Sequence, residues 1–288
     1  MRTVLKKIPI LGNLLKKTGD IRRAIKDSFN SYNFYRRYKK ILRANEVMAG
    51  SARNKRVFIL ATGPSIKSQN LSILKDEICI SVSNFFVHPD FKTILPKYHV
   101  FAPSHDPIPD SQIVLWFADA EKHFPEGQEV FVALHDKFLV DGNNLFKKQK
   151  VRYYQIDYAR KGKIEKIDFT KRIPAIQTVA HLATYLGLYL EPQELYLLGV
   201  DHDWILHIDK GRHFYEEEKS VLVQGIPQKS PVQKDLEDEF RNYLNLWHLY
   251  KNIRAYAASH GVSIKNATPG SLLDVFPRVN LETLFERK

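Results

Sequence analysis

The sequence predicts an α/β fold: a single domain on a mainly parallel sheet flanked by helices, with a basic helical arm ahead of it and a lid loop within it. Three observations carry this. From residue 56 onward, short and nearly uninterrupted apolar runs alternate with segments of helical period, and strands apolar on both faces belong to parallel sheets covered by helices. Positive charge is concentrated before that alternation begins. Residues 202–230 are polar and without strong period, with Gly211, Gly225 and Pro227 among them, as expected of a lid or binding loop.

In the arm, residues 1–55, Leu5, Ile8, Leu11, Leu14 and Leu15 recur at helical spacing among lysines. After Thr18-Gly19-Asp20, Ile21, Ile25, Phe29, Tyr32, Phe34, Tyr35, Tyr38, Ile41 and Leu42 continue the pattern. Residues 1–56 hold sixteen Lys and Arg against three acids, leaving residues 57–288 nearly neutral with 28 basic and 29 acidic side chains. Basic amphipathic helices with aromatics suit an anionic membrane surface. Packing on the body or on a second subunit explains the same stripe, so a homo-oligomer is compatible with it. Residues 43–55, with Gly50, Ser51 and Asn54, read as a linker.

In the body, candidate strands cover 56–61, 78–83, 98–102, 129–134, 151–157, 194–200 and 262–267, with helices at about 67–75, 110–123, 175–188 and 232–260. At 288 residues, 44% hydrophobic and 26% charged, the chain is not of disordered or collagen-like composition. A lone cysteine, Cys79, makes neither an intramolecular disulfide nor a zinc site, which suits a cytosolic protein. No apolar run reaches the roughly 18 residues of a membrane span. Pro9, Asn13 and four lysines by position 17 make a poor signal peptide. The neutral body lacks the cationic groove expected of a nucleic-acid enzyme, so no nucleic-acid partner is expected.

The sharpest motif is RVFILATGPSI, an apolar strand running into Thr62-Gly63-Pro64-Ser65. Glycine at such a strand end lets backbone approach phosphate oxygens; a plain strand-to-helix turn capped by Ser65 is the other reading. The next strands end in Ser83-Asn84 and Ala102-Pro103-Ser104-His105-Asp106, so Asn84 and Ser104 converge on the same crevice; alternatively Asn84 satisfies a turn and Asp106 caps a helix. Pro174, in Arg172-Ile173-Pro174-Ala175, marks a helix start, and Arg172 before it suggests an anion site or a surface ion pair. Asp201, His202, Asp203 and His207 match no standard metal cage, and His181 reads as a packed histidine. His213, between Arg212 and Phe214-Tyr215, is the better candidate for a base. The last strand runs into Thr268-Pro269-Gly270-Ser271-Leu272-Leu273, a turn able to hold a base or ribose, or a simple exit.

Four of these segments, in this order, resemble the bacterial sialyltransferases of glycosyltransferase family 42 and the related sialyltransferase-like and pterin-diphosphokinase-like domain. The family's G-N-G-P-S-L is similar to Ala61-Thr62-Gly63-Pro64-Ser65-Ile66, its C-N-Q-F to Ser83-Asn84-Phe85-Phe86, its R-I-T-S-G and later G-I-D to Arg172 through Asp201, and its C-P-N-S-L-L to Thr268 through Leu273. The likeness covers roughly residues 56–275 and omits the arm.

The resemblance implies a Rossmann-like domain that moves sialic acid or a related acidic sugar from a CMP donor to a glycan or glycolipid acceptor with inversion and without a metal or other cofactor. His213 would be the base, Tyr215 a phosphate contact, and Arg172 a stabiliser of the leaving phosphate. Thr62, Gly63, Pro64, Ser65, Asn84, Ser104 and Asp201 would surround the nucleotide, with Pro269, Gly270, Ser271 and Leu272 at the cytosine end. The chain departs from the family at Thr62 and Ala102, where the family has asparagines, and at Asp203, where it has a tyrosine. The arm would hold the enzyme on the inner face of the cytoplasmic membrane. The rivals are a Mg-dependent diphosphokinase using Asp106, Asp201 and Asp203, and a non-catalytic scaffold.

Overall fold

The computed structural model describes residues 32–33, 35–160, 162–206, 213–216 and 236–286. Its strands are β1 (Arg56–Leu60), β2 (Ile78–Val82), β3 (Tyr98–Val100), β4 (Glu129–Ala133), β5 (Lys150–Asp157), β6 (Arg172–Pro174), β7 (Glu194–Leu198) and β8 (Ser263–Asn266). They form one eight-stranded sheet in the order β6-β5-β4-β3-β2-β1-β7-β8, every pair parallel. The helices are α1 (Phe91–Ile94), α2 (Asp110–Glu121), α3 (Lys137–Gly142), α4 (Val179–Tyr189) and α5 (Leu236–Ser259). The α/β, Rossmann-like architecture is the one the apolar strands predicted.

The pleat divides the core between two faces. Val57, Ile59 and Ala61 of the first strand segment join a cluster covered by α4 and α5, through Leu182, Ala183, Leu186, Leu246 and Tyr250. Phe58 and Leu60 join the opposite cluster, covered by α1, α2 and α3. Burial on both sides is why these strands read as continuous apolar runs. Cys79 lies fully buried in the second cluster, and burial pushes its thiol far above the ordinary range.

The chain steps from β1 to β6 in one direction, then returns to place β7 on the other side of β1. Strand order therefore reverses between β1 and β7, and the crevice beyond their carboxyl ends is where open parallel sheets bind ligands.

Several expectations need correction. Residues 67–75 are not one helix but follow and include 3-10 turns, Pro64–Ser68 and Leu71–Leu74. Pro174 does not start a helix. It pairs with Asp157 at the sheet edge, where a proline's missing N–H is tolerated, and α4 begins at Val179. Nor are residues 43–55 a linker: Asn45, Met48 and Ala52 are buried, and Asn45 Nδ2 donates to the carbonyls of Tyr153 and Phe169 at 2.8 and 2.9 Å.

Of the arm, residues 1–31 and Phe34 lie outside the described residues, and with them the stripe from Leu5 to Phe29. Residues 35–43 are helical. Leu42 is buried, and Tyr35, Tyr38 and Ile41 pack against the second cluster, so this stretch faces the body. Among the described residues no helix is long and apolar enough to cross a membrane.

Candidate functional site

Beyond β1 and β7 lies a cavity of about 450 Å³, lined on one side by Thr62 and Gly63, on another by Asp201, and on a third by Thr178 and Ala180 at the start of α4. His213 lines it too. Thr62, almost fully buried, places its Oγ1 3.0 Å from His213 Nδ1. The Phe214 N–H donates to the Thr62 carbonyl at 2.8 Å, while the Phe214 ring is buried against Phe85 and His88, with centroids 6.1 and 5.1 Å apart. Tyr215 stacks on the His213 ring at 5.0 Å and 5°. The short segment 213–216 is thus pinned by its backbone to the end of β1 and by Phe214 to the core.

Asp201 organises the cavity wall. Its Oδ1 accepts the Ser65 N–H and its Oδ2 the Ser65 hydroxyl, both at 2.9 Å, and its carbonyl accepts the Leu272 N–H at 3.0 Å. It reaches that position because Gly199, at φ +66°, turns the chain sharply off β7. A Cβ on Gly63 would lie 1.8 Å from Asp201 Oδ2 and 2.5 Å from the Gly199 carbonyl. Glycine is therefore required at 63 by the carboxylate, not by positive φ. In the Thr62–Ser65 turn, predicted to cradle phosphate, the Ser65 N–H and hydroxyl are engaged by the protein's own anion, while Thr62 and Gly63 line the cavity. Burial raises the Asp201 carboxyl above its ordinary range; the Ser65 hydrogen bonds oppose the rise and the neighbouring Asp203 adds to it.

A second aspartate clamp repeats the pattern on β3 and β4. Ser104 N–H donates to Asp136 Oδ2 at 3.1 Å, its hydroxyl donates to Asp136 Oδ1, and His135 Nε2 lies 3.2 Å from that hydroxyl. Both clamps follow a Pro-Ser pair, Pro64-Ser65 and Pro103-Ser104. Asn84 accepts a hydrogen bond from the Trp116 indole of α2 and is buried. Neither Asn84 nor Ser104 lines the cavity.

Arg172 is not brought to the site. It lies on β6, five strands from β1, roughly 24 Å away at ordinary strand spacing, and pairs with Asp157 at 3.1 Å. The turn after β8 borders Asp201 but is built as a brace. Ser271 is buried; its hydroxyl donates to the Val200 carbonyl at 2.7 Å and accepts the Leu273 N–H at 3.1 Å. Pro269 and Gly270 are exposed.

His202 turns inward, with Nε2 2.8 Å from the Tyr250 hydroxyl, and burial lowers it to about 3. Asp201 is committed to Ser65, and His207 lies outside the described residues, as does the lid over 207–212 and 217–230. Among the described residues no three His, Cys, Asp or Glu side chains gather as a metal site. His181 is packed, as read: it is fully buried, accepts the Thr178 N–H at 3.2 Å, and burial holds it well below its ordinary value.

Sequence reasoning missed the cavity's other wall. Gln177, Trp204, Glu239 and Asn242 line it, and none of them belongs to a motif the sequence singled out. No family model matches the chain, and no curated protein matches it.

Proposed function

We propose that the chain is an inverting glycosyltransferase that moves sialic acid or a related acidic sugar from a CMP donor to a glycan or glycolipid acceptor without a metal. The observation that supports this most is His213 in the switch-point cavity with Nδ1 against Thr62 Oγ1. When Nδ1–H donates to Thr62, the lone pair sits on Nε2, where it can take the acceptor's hydroxyl proton as that oxygen attacks the anomeric carbon and the nucleotide phosphate departs. Tyr215 and Phe214 fix the ring's plane, which preserves the alignment general-base transfer needs. Asp201 acts as a positioning residue that joins the ends of β1 and β7.

The same carboxylate weighs against the diphosphokinase reading, since both its oxygens already accept from Ser65. Arg172 has no part in this scheme. The basic stretch 1–31 would bring the enzyme to an anionic membrane face presenting the acceptor.

A thermal-shift panel of CMP, UDP, GDP and ATP tests the nucleotide class. A ligand at 100 times its Kd stabilises by about 2.7 kcal/mol, so CMP should raise Tm clearly and the others little. Stabilisation by ATP with Mg²⁺ alone would overturn the proposal.

A further inference from the structure

Next to the His213 cavity lies a second, of about 510 Å³, between α5 and the segment 162–177. The two share Gln177 and Asn242, and the Gln177 Nε2 donates to the Asn242 carbonyl at 2.9 Å on the ridge between them. Asn242, Asn245, Leu249 and Asn252 recur at i, i+3, i+7 and i+10 along α5, one face of a helix. The far end is tied as well, Asn252 Nδ2 donating to the Gly162 carbonyl at 2.9 Å. Asn245 and His248, between these ties, are exposed.

We propose that this groove is a binding site for a neutral sugar chain, the inner units of the acceptor whose terminal hydroxyl reaches His213. Asparagine and glutamine amides offer donors and acceptors together, the complement of a hydroxyl, which is also both. The described lining carries no Lys, Arg, Asp or Glu, and His248 is its one titratable side chain, so the groove is built for a neutral ligand rather than a strongly charged one. Ile176 and Leu249 supply the apolar patches against which a ring's C–H face packs. Each cavity is of the size that takes a small ligand, and their continuity across Gln177–Asn242 suits a chain of units over a single ring. The two fixed ends pre-organise the groove, lowering the ordering penalty on binding. The inference rests on the transferase reading only for which end of the chain is modified.

Saturation-transfer NMR on the full chain, with lactose, maltopentaose, chitopentaose and lacto-N-neotetraose as probes, tests binding without requiring turnover. At least one oligomer should bind, and bind at least tenfold more weakly to Asn245→Trp, which fills the groove. Asn245→Ala, with a thermal melt matching wild type, should weaken it about threefold. No binding by any probe, or equal binding to Asn245→Trp, would overturn the groove. Binding without transfer from any nucleotide donor would sink the transferase and leave the groove. Transfer whose preference for longer acceptors survives Asn245→Trp would do the reverse.

Discussion

Replacing Gly63 by alanine isolates the Asp201 clamp. The new methyl would sit 1.8 Å from Asp201 Oδ2 and 2.5 Å from the Gly199 carbonyl, inside any van der Waals contact. The backbone of Gly63 cannot retreat freely, because its N–H donates to that same Gly199 carbonyl at 2.8 Å. The carboxylate must therefore swing away and release Ser65. Hydrogen bonds to charged groups contribute about 1.5–3 kcal/mol each, and overpacking alone costs about 1–3 kcal/mol. We expect Gly63→Ala to lose about 2–5 kcal/mol in urea unfolding. At about 2–4 °C per kcal/mol for a domain of this class, Tm should fall by roughly 5–15 °C. In a double-mutant cycle with Asp201→Gly, the two changes should couple by 1 kcal/mol or more, within the range for residues in contact. A Gly63→Ala protein within about 0.5 kcal/mol of wild type, the range of an ordinary surface change, would show that the carboxylate does not occupy this space.

Other consequences are open to measurement. Because burial raises Asp201 in the folded state, its protonated form favours folding relative to the carboxylate. That contribution is fully present below the ordinary value of 3.8 and is lost as pH rises through the folded value; Asp201→Asn should flatten that part of the stability curve, and an unchanged curve would refute the burial. His99 and His202, held near 3 by burial, act in the opposite direction. Their stabilisation is complete above 6.5 and falls by about 1.4 kcal/mol per histidine for each pH unit below it, so urea unfolding that is flat between pH 6.5 and 5 would contradict their burial as neutral rings. Ser271→Ala should lower stability by about 1–3 kcal/mol, the cost of unpaired buried groups, and leave CMP affinity unchanged. A selective loss of CMP affinity would restore Ser271 to the nucleotide. Deleting residues 1–31 should abolish sedimentation with anionic phospholipid vesicles, and sedimentation that persists would place the membrane contact elsewhere.

Much of the fold was legible because parallel strands buried on both faces leave a plain record: RVFIL, ICISV and ELYLL are each apolar at four of five positions. What failed was short or non-local. The edge strand Arg172–Pro174 has three residues and a proline, the signature of a helix start when met alone. Asn45 reads as linker because its carbonyl partners lie 108 and 124 residues away. In the site, Thr62, Gly63, Asp201 and His213 do border one cavity, but the expected convergence of Asn84 and Ser104 on it is not met, because the commitments of those side chains were not legible. Ser65 looks like a phosphate ligand until Asp201, 136 residues on, occupies it. Ser104 and Asn84 are engaged by Asp136 and Trp116, each 32 residues downstream. His213 was found from residue type and loop context, whereas Gln177 and Asn242 carry no motif.

The proposed chemistry depends on His213 working at the end of β1. Transfer from a CMP-linked acidic sugar, followed in EDTA for wild type and His213→Ala at matched fold stability, addresses it most directly. Wild type should turn over, and the variant should lose about 10²–10⁴ in kcat, the span of general-base catalysis, while still binding CMP. Equal kcat in the two proteins, or wild-type turnover that disappears with the chelator, would contradict it.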